Sequence, residues 1–211
     1  MLVGADASGL ELRCLAHYLH RLDDGAYARE ILEGDIHTAN QKASGLEHRN
    51  QAKTFIYALL YGAGDTKIGE IVGKGRKEGK ALKARFFQKM PAVQTLLNDI
   101  EMTLEKKPYL TGLDGRKLPC RSAHSALNLL LQSAGAVLMK QALVTFCEDA
   151  MLPFELHGNI HDEVQFSCDP ENAESLGRCF VDSLAKAGRT LGFRMPVDGE
   201  YKVGLNWKET H

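Results

Sequence analysis

The chain lacks a CxxC pair, and its five cysteines (Cys14, Cys120, Cys147, Cys168 and Cys179) are odd in number and scattered. That excludes a zinc ribbon, argues against a disulfide framework and points to reduced thiols in a cytoplasmic setting. Long apolar runs are also missing. No window approaches the length of a membrane span and nothing at the start resembles a signal peptide, so no membrane partner is expected. Charge of one sign is scarce too: the formal net charge is -1, which offers no overall attraction for nucleic acid. No internal repeat, low-complexity tract or flexible linker interrupts the chain. What remains is ordinary globular composition, 44% hydrophobic and 25% charged over 211 residues, enough for one core or two closely joined lobes.

Charge is nonetheless unevenly placed. Eight Lys or Arg residues lie between Lys67 and Lys89 against Glu70 and Glu78. Around His161-Asp162-Glu163 the balance reverses, with Asp162, Glu163, Asp169, Glu171, Glu174 and Asp182 against Arg178. A basic stretch could meet phosphate and an acidic pocket could hold cations, although solvated helix faces explain both runs on charge alone.

Periodicity places these residues on elements. Leu2 to Ala5 reads as a strand ending at Asp6, followed by a helix with Leu10, Leu12, Leu15, Ala16 and Leu19 at helical spacing. A helix from Asp35 to Leu46 has Asp35 as a plausible N-cap. The next helix spans about Arg49 to Tyr61 and stops at Gly62-Ala-Gly64. Gly69, Gly73, Gly75 and Gly79 are expected to limit regular helix before an amphipathic segment, Ala81 to Met90. Pro91 starts another helix to about Lys106, and Thr111-Gly-Leu-Asp-Gly turns into a strand over Lys117 to Arg121. Ser125 to Met151 is the longest helical pattern. Phe154–Asn159 and Val164–Cys168 predict a hairpin with the His161-Asp162-Glu163 triplet at its tip. A helix over Glu171 to Leu191 and a strand over Tyr201 to Gly204 follow. The class is α+β, a small antiparallel sheet with many helices.

Two carboxylates carry the chemical argument. Asp6 ends a buried-looking strand and Asp162 sits at a hairpin tip, places that are costly for a carboxylate unless it is paired or binds a cation. Taken singly, each is better explained as a turn residue. Brought together, they form a hard oxygen site suited to Mg²⁺, and two such ions can activate a hydroxyl and stabilise a leaving oxygen. Arg49, Lys53, Tyr57 and Tyr61 follow one another at i+4 steps, apart from an apolar face of Ala52, Ile56, Leu59 and Leu60. Two cations followed by two aromatics suit a nucleoside triphosphate, and the same residues also occur at the boundary of ordinary amphipathic helices. Gly69-Glu-Ile-Val-Gly73-Lys74-Gly75 is one residue short of a P-loop and has no following Ser or Thr. His157 and His161 lack the helix and the Glu of a zinc-protease motif.

At these residues the sequence resembles family A (DNA polymerase I-like) DNA polymerases, most closely their phage-type branch. Asp6-Ala-Ser-Gly-Leu-Glu11-Leu-Arg13 is similar to the first catalytic motif. Arg49-Asn-Gln-Ala-Lys53-Thr-Phe-Ile-Tyr57-Ala-Leu-Leu-Tyr61-Gly62 resembles the nucleotide-binding fingers helix, and His161-Asp162-Glu163 the last catalytic motif. Gly112-Leu-Asp-Gly-Arg116, Asn128-Leu-Leu-Leu-Gln132 and Gly204-Leu-Asn-Trp207 with His211 extend the likeness over essentially the whole chain. The resemblance implies a palm over 1–34 and 112–211 with an inserted fingers subdomain over about 35–111.

The resemblance also implies roles. Asp6, Asp162 and the Ala7 carbonyl would hold two Mg²⁺ ions, for which Mn²⁺ could substitute. His37, Arg49 and Lys53 would hold the triphosphate, with Lys53 the acid that protonates pyrophosphate. Tyr57 would lie near the sugar 3' position and imply ready acceptance of dideoxynucleotides. Tyr61 would guard the templating position and Glu11 would exclude a ribose 2'-hydroxyl. Asn128 and Gln132 would touch template-primer, His161 would sit by the primer end, and Glu163 would support the site without being an obligatory ligand. His124 stands where many members have Arg, and no role is assigned to it.

The implied reaction is template-directed transfer of dNMP from a dNTP to a primer 3'-hydroxyl in a bacterial or phage-infected cytoplasm. The partners are primer-template DNA and dNTPs. Because Met1 lies five residues before Asp6, thumb, exonuclease and early palm strands are expected to be absent and a sheet edge exposed. The alternative is a catalytically incomplete chain of a split polymerase that needs a separate chain with thumb and exonuclease. A metal-dependent phosphohydrolase is the third reading.

Overall fold

A computed structural model describes all residues from Met1 to His211. In chain order its first elements are β1 (Leu2–Ala7), α1 (Leu10–Leu19), α2 (Ala26–Glu33), α3 (Ile36–Ser44), α4 (Arg49–Leu60) and α5 (Asp65–Glu70). Next come α6 (Arg76–Lys89), α7 (Pro91–Lys106), β2 (Tyr109–Thr111), β3 (Lys117–Pro119) and α8 (Ala126–Asp149). The last are β4 (Glu155–Ile160), β5 (Glu163–Ser167), α9 (Ala173–Thr190), β6 (Gly199–Gly204) and α10 (Trp207–Thr210). The α+β class is borne out. Two compact units form: Met1–Cys14 with Gln132–His211, and Leu15–Leu131.

The first unit is built on an antiparallel sheet of order β4-β5-β1-β6. Alternation along β1 sends Val3, Ala5 and Ala7 to one face, where all three are buried. Phe146 of α8, Phe166 of β5 and Phe180 of α9 fill that side, with ring centroids 5.1 and 5.4 Å from Phe146. The opposite face carries Gly4 and Asp6 beside their register partners Gln165, Glu163, Lys202 and Glu200. β4 is an edge strand on which Leu156 and Ile160 are exposed.

The second unit is helical apart from the β2–β3 hairpin, and Phe55 and Phe86 stack edge to face in its core. Asp35 caps α3 through the His37 and Thr38 amides, as its sequence position suggests. α2 has no counterpart in the sequence reading. It starts where Asp23 accepts from the Gly25 and Tyr27 amides, both at 2.9 Å.

Three expectations need correction. Helix resumes at Arg76 rather than near Ala81, because Gly79 permits close packing instead of breaking the helix. A Cβ there would overlap the Asp65 carbonyl and the Gly69 amide of α5. Glu163 begins β5, leaving His161 and Asp162 in the turn. The stretch Ala123–Asp149, contrary to the expectation that no segment has the length, is long and apolar enough by those measures alone to cross a membrane. A core position accounts for its apolarity: Leu127, Leu130, Leu131, Ala134, Leu138, Met139, Ala142 and Phe146 are all buried.

Candidate active site

In the first unit Asp6 is the penultimate residue of β1, flanked in register by Glu163 on β5 and Glu200 on β6. Like charges on one sheet face repel. Burial, and then Asp162, Glu200 and Glu163, push the Asp6 carboxyl from its usual 3.8 up to about 6, while His211 pulls it back. The Ala7 amide donates to the Asp162 carbonyl at 2.9 Å, tying the two aspartate-bearing segments together. His161 holds this turn with a φ of 56°, a conformation that is uncommon for a residue with a side chain.

Other side chains fix the surroundings. Arg13 is buried and donates to the Ser8 carbonyl at 2.6 Å and the Pro196 carbonyl at 2.7 Å, clamping the β1–α1 turn. Glu11 accepts from the Gln132 amide, so two residues expected to meet substrate also meet each other. Glu163 has one oxygen shared by Gln165 and Trp207 and the other beside His211. Burial opposes its charge, but these bonds outweigh burial and hold its carboxyl below the usual value.

Carboxylate and carbonyl oxygens are the donors that a hard divalent cation takes. Crowded carboxylates with a raised Asp6 are what such an ion relieves, and two aspartates plus a backbone carbonyl leave positions for water or phosphate oxygens. No group of three or more His, Cys, Asp or Glu side chains is placed so that it could hold a metal ion, so the donors here are two carboxylates and a main-chain oxygen. His157 pairs with Ser167 at 2.7 Å instead of joining His161 in a zinc site.

In the second unit Arg49 makes a two-pronged ion pair with Asp35, at 2.7 and 3.1 Å. The guanidinium and the Thr38 hydroxyl hold Asp35 well below the carboxylate range. Burial, then Arg49, lowers His37, and Lys53 adds to this, so the three expected phosphate ligands share one neighbourhood. The buried Nδ1 of His37 has no hydrogen-bond partner. Lys53 is exposed, Tyr57 half-buried, and Tyr61 is the exposed C-cap of α4. Just past that cap stands Gly62, with φ 75°, where a Cβ would strike the His124 carbonyl. Asn128 is half-buried in the first turn of α8. A separate groove of about 810 Å³, lined by α2 and Lys89–Val93, holds none of the expected site residues.

The sequence profile described as DNA polymerase family A matches residues 1–209. The chain belongs to that family. It is 45% identical to the DNA-directed DNA polymerase of Enterobacteria phage T3 and 44% identical to that of Escherichia phage T7. Each match covers 99% of this chain and 33% of the relative, so the chain spans about a third of the length of these family A proteins. The POL domain of Pol1 from M. smegmatis, in complex with DNA primer-template and dNTP, superposes with a TM-score of 0.86. It shares 21% identity over 99% of this chain and 40% of its own, a likeness of fold.

Sequence reasoning assigned no function to Asp35 beyond capping and none to Arg13, Glu200, Trp207 or His211. Arg13 was visible inside the first motif and Trp207 and His211 in the family-like ending, but nothing in the spacing said what they touch.

Proposed function

We propose that the chain is the palm and fingers portion of a DNA-directed DNA polymerase. It would transfer dNMP from a dNTP to a primer 3'-hydroxyl under direction of a template. The observation that carries the reading is the joined pair of aspartate segments, with Asp6 destabilised as an anion among carboxylates, on a chain of family A. The palm is proposed over 1–34 and 112–211 and the fingers over about 35–111.

Asp6, Asp162 and the Ala7 carbonyl would hold Mg²⁺, or Mn²⁺ in its place. Two such ions would supply activation of the primer hydroxyl and charge neutralisation at the departing pyrophosphate. The protein's own part is positioning. His37, Arg49 and Lys53 bind the triphosphate, and Lys53 delivers a proton to the pyrophosphate oxygen as it leaves. To reach phosphate, Arg49 exchanges its planar fork from Asp35 to the nucleotide, an equivalent bidentate partner. Tyr57 packs at the sugar 3' position, Tyr61 covers the templating position and Glu11 blocks a 2'-hydroxyl. Asn128, Gln132 and His161 contact primer-template, and the dNTP and DNA named in the mycobacterial complex support that choice of partners.

The test is primer extension by the purified chain with dNTPs and Mg²⁺. Asp6→Asn and Asp162→Asn should each abolish extension while circular dichroism stays unchanged; full activity in either would overturn the assignment. Running the assay with and without a second polypeptide that carries thumb and exonuclease distinguishes a self-sufficient enzyme from one part of a split enzyme.

A further inference from the structure

Glu163 stands next to Asp162, yet both its oxygens are occupied from within the fold. It is buried, with 7% of its surface exposed. The Trp207 indole N–H donates to Oε1 at 2.9 Å and the Gln165 amide donates to the same atom. The His211 Nδ1 lies 2.6 Å from Oε2. Trp207 and His211 sit four residues apart at the two ends of the α10 segment, so one carboxylate grips both ends of a single helical turn.

Neighbouring contacts serve the same segment. The Thr210 hydroxyl donates to Gln165 Oε1 at 3.0 Å, and Lys202 of β6 donates to the His211 carbonyl at 3.0 Å. Glu209 closes the approach by accepting from the Leu205 backbone amide at 2.8 Å and the Asn206 side-chain amide at 2.7 Å. Under α10 lies Gly4, where a Cβ would collide with the Gln165 side chain and the Thr210 backbone. The segment therefore covers the polar face of β1, the face that carries Asp6. A pocket of about 140 Å³ between them is lined by Asp6, Glu163, Glu200, Lys202 and His211 among others. Lys202 and His211 are the two basic side chains in that lining, opposite three carboxylates.

We infer that Glu163 is a positioning residue whose carboxylate clasps the segment Trp207–His211 over the Asp6 face of the sheet, making that segment a working part of the site. A buried carboxylate with two charge-assisted or indole bonds already made has little to gain by turning toward a cation, since those donors would be left unpaired. Beside the direct charge it sets next to Asp6, its positioning effect on the site passes through α10. The inference deepens the reading of Glu163 as a supporting residue, and it rests on the polymerase reading only in its activity arm.

Trp207 is the sole tryptophan of the chain, so its fluorescence reports the clasp directly. In Glu163→Ala, acrylamide quenching of Trp207 should rise and the fast component of its anisotropy decay should grow, with circular dichroism preserved. Glu163→Gln keeps a carbonyl for the indole and an amide for His211, and it should restore most of the wild-type signal. His211→Ala, a change at an exposed residue that leaves β5 intact, should loosen Trp207 in the same direction if Glu163→Ala does not fold. In primer extension, Glu163→Ala and deletion of residues 207–211 should each lower the rate by about tenfold, as loss of a supporting contact does, and the combined variant should fall no further. Unchanged Trp207 quenching and anisotropy in both Glu163→Ala and His211→Ala would overturn the clasp. So would a combined variant whose loss is the product of the two single losses, since Glu163 would then act on the site independently of α10. Absence of extension in every form, wild type included, would count against the polymerase reading and leave the fluorescence result to decide the clasp.

Discussion

Asp6 is held where its charge is unwelcome. With a folded value near 6 against a usual 3.8, it keeps a proton on the folded chain between about pH 4 and pH 6 that the unfolded chain has lost. Stability therefore falls as pH rises through that window, and the cost is fully present above it. Asp6→Asn removes the charge and should raise the melting temperature at pH 7.5 without divalent ions. The gain should shrink as pH falls below 6 and vanish only well below 3.8, where the aspartate is protonated in the folded and unfolded chain alike; scanning calorimetry across that range checks it. On the proposed reading, the cost that Asp6 carries as an anion is one that a bound cation would offset. Tyr57 offers a chemical test at the same scale: Tyr57→Phe should raise discrimination against dideoxynucleotides, read as the ratio of chain termination to extension. Unchanged sensitivity to terminators would remove Tyr57 from the sugar.

At the scale of elements, the supporting framework is apolar on one side and polar on the other. Phe146 joins α8 to the sheet and α9 through Phe154, Phe166 and Phe180, with ring centroids 4.7 to 5.4 Å away. Phe146→Ala should cost about 3–5 kcal/mol, the range for truncating a fully buried aromatic, measured by urea denaturation. In the second unit Gly69 and Gly79 let α5 and α6 approach backbone to backbone. Gly79→Val should separate these helices and lower the melting temperature, although valine is no worse than glycine in an isolated helix. Composition alone reads those glycines as breakers, because their close-packing role depends on a partner helix that spacing does not reveal. The hairpin bearing Asp162 and the strand bearing Asp6 were legible from short apolar runs and the turn residues that interrupt them, which are local properties. The grip of Glu163 on Trp207 and His211 was not, since it joins positions far apart in the chain.

For the whole molecule, the proposed function calls for a divalent cation at the acidic face. Added Mg²⁺ should raise the melting temperature of the wild-type chain, because an ion that binds only the folded form stabilises it by mass action. The increase should shrink or disappear in Asp6→Asn and Asp162→Asn; an equal increase in all three would place the ion elsewhere. The amino-acid sequence by itself determined the α+β class and the helix that presents Arg49, Lys53, Tyr57 and Tyr61, and it named Asp6 and Asp162 as candidates, because periodicity, capping and ordered motifs are written in neighbouring residues. Only the tertiary structure decided which groups surround those residues. It set Glu163 and Glu200 beside Asp6, paired Arg49 with Asp35, and folded Trp207 and His211 onto Glu163. Those neighbours follow from strand register and helix packing, which bring together residues whose separation along the chain carries no trace of the contact.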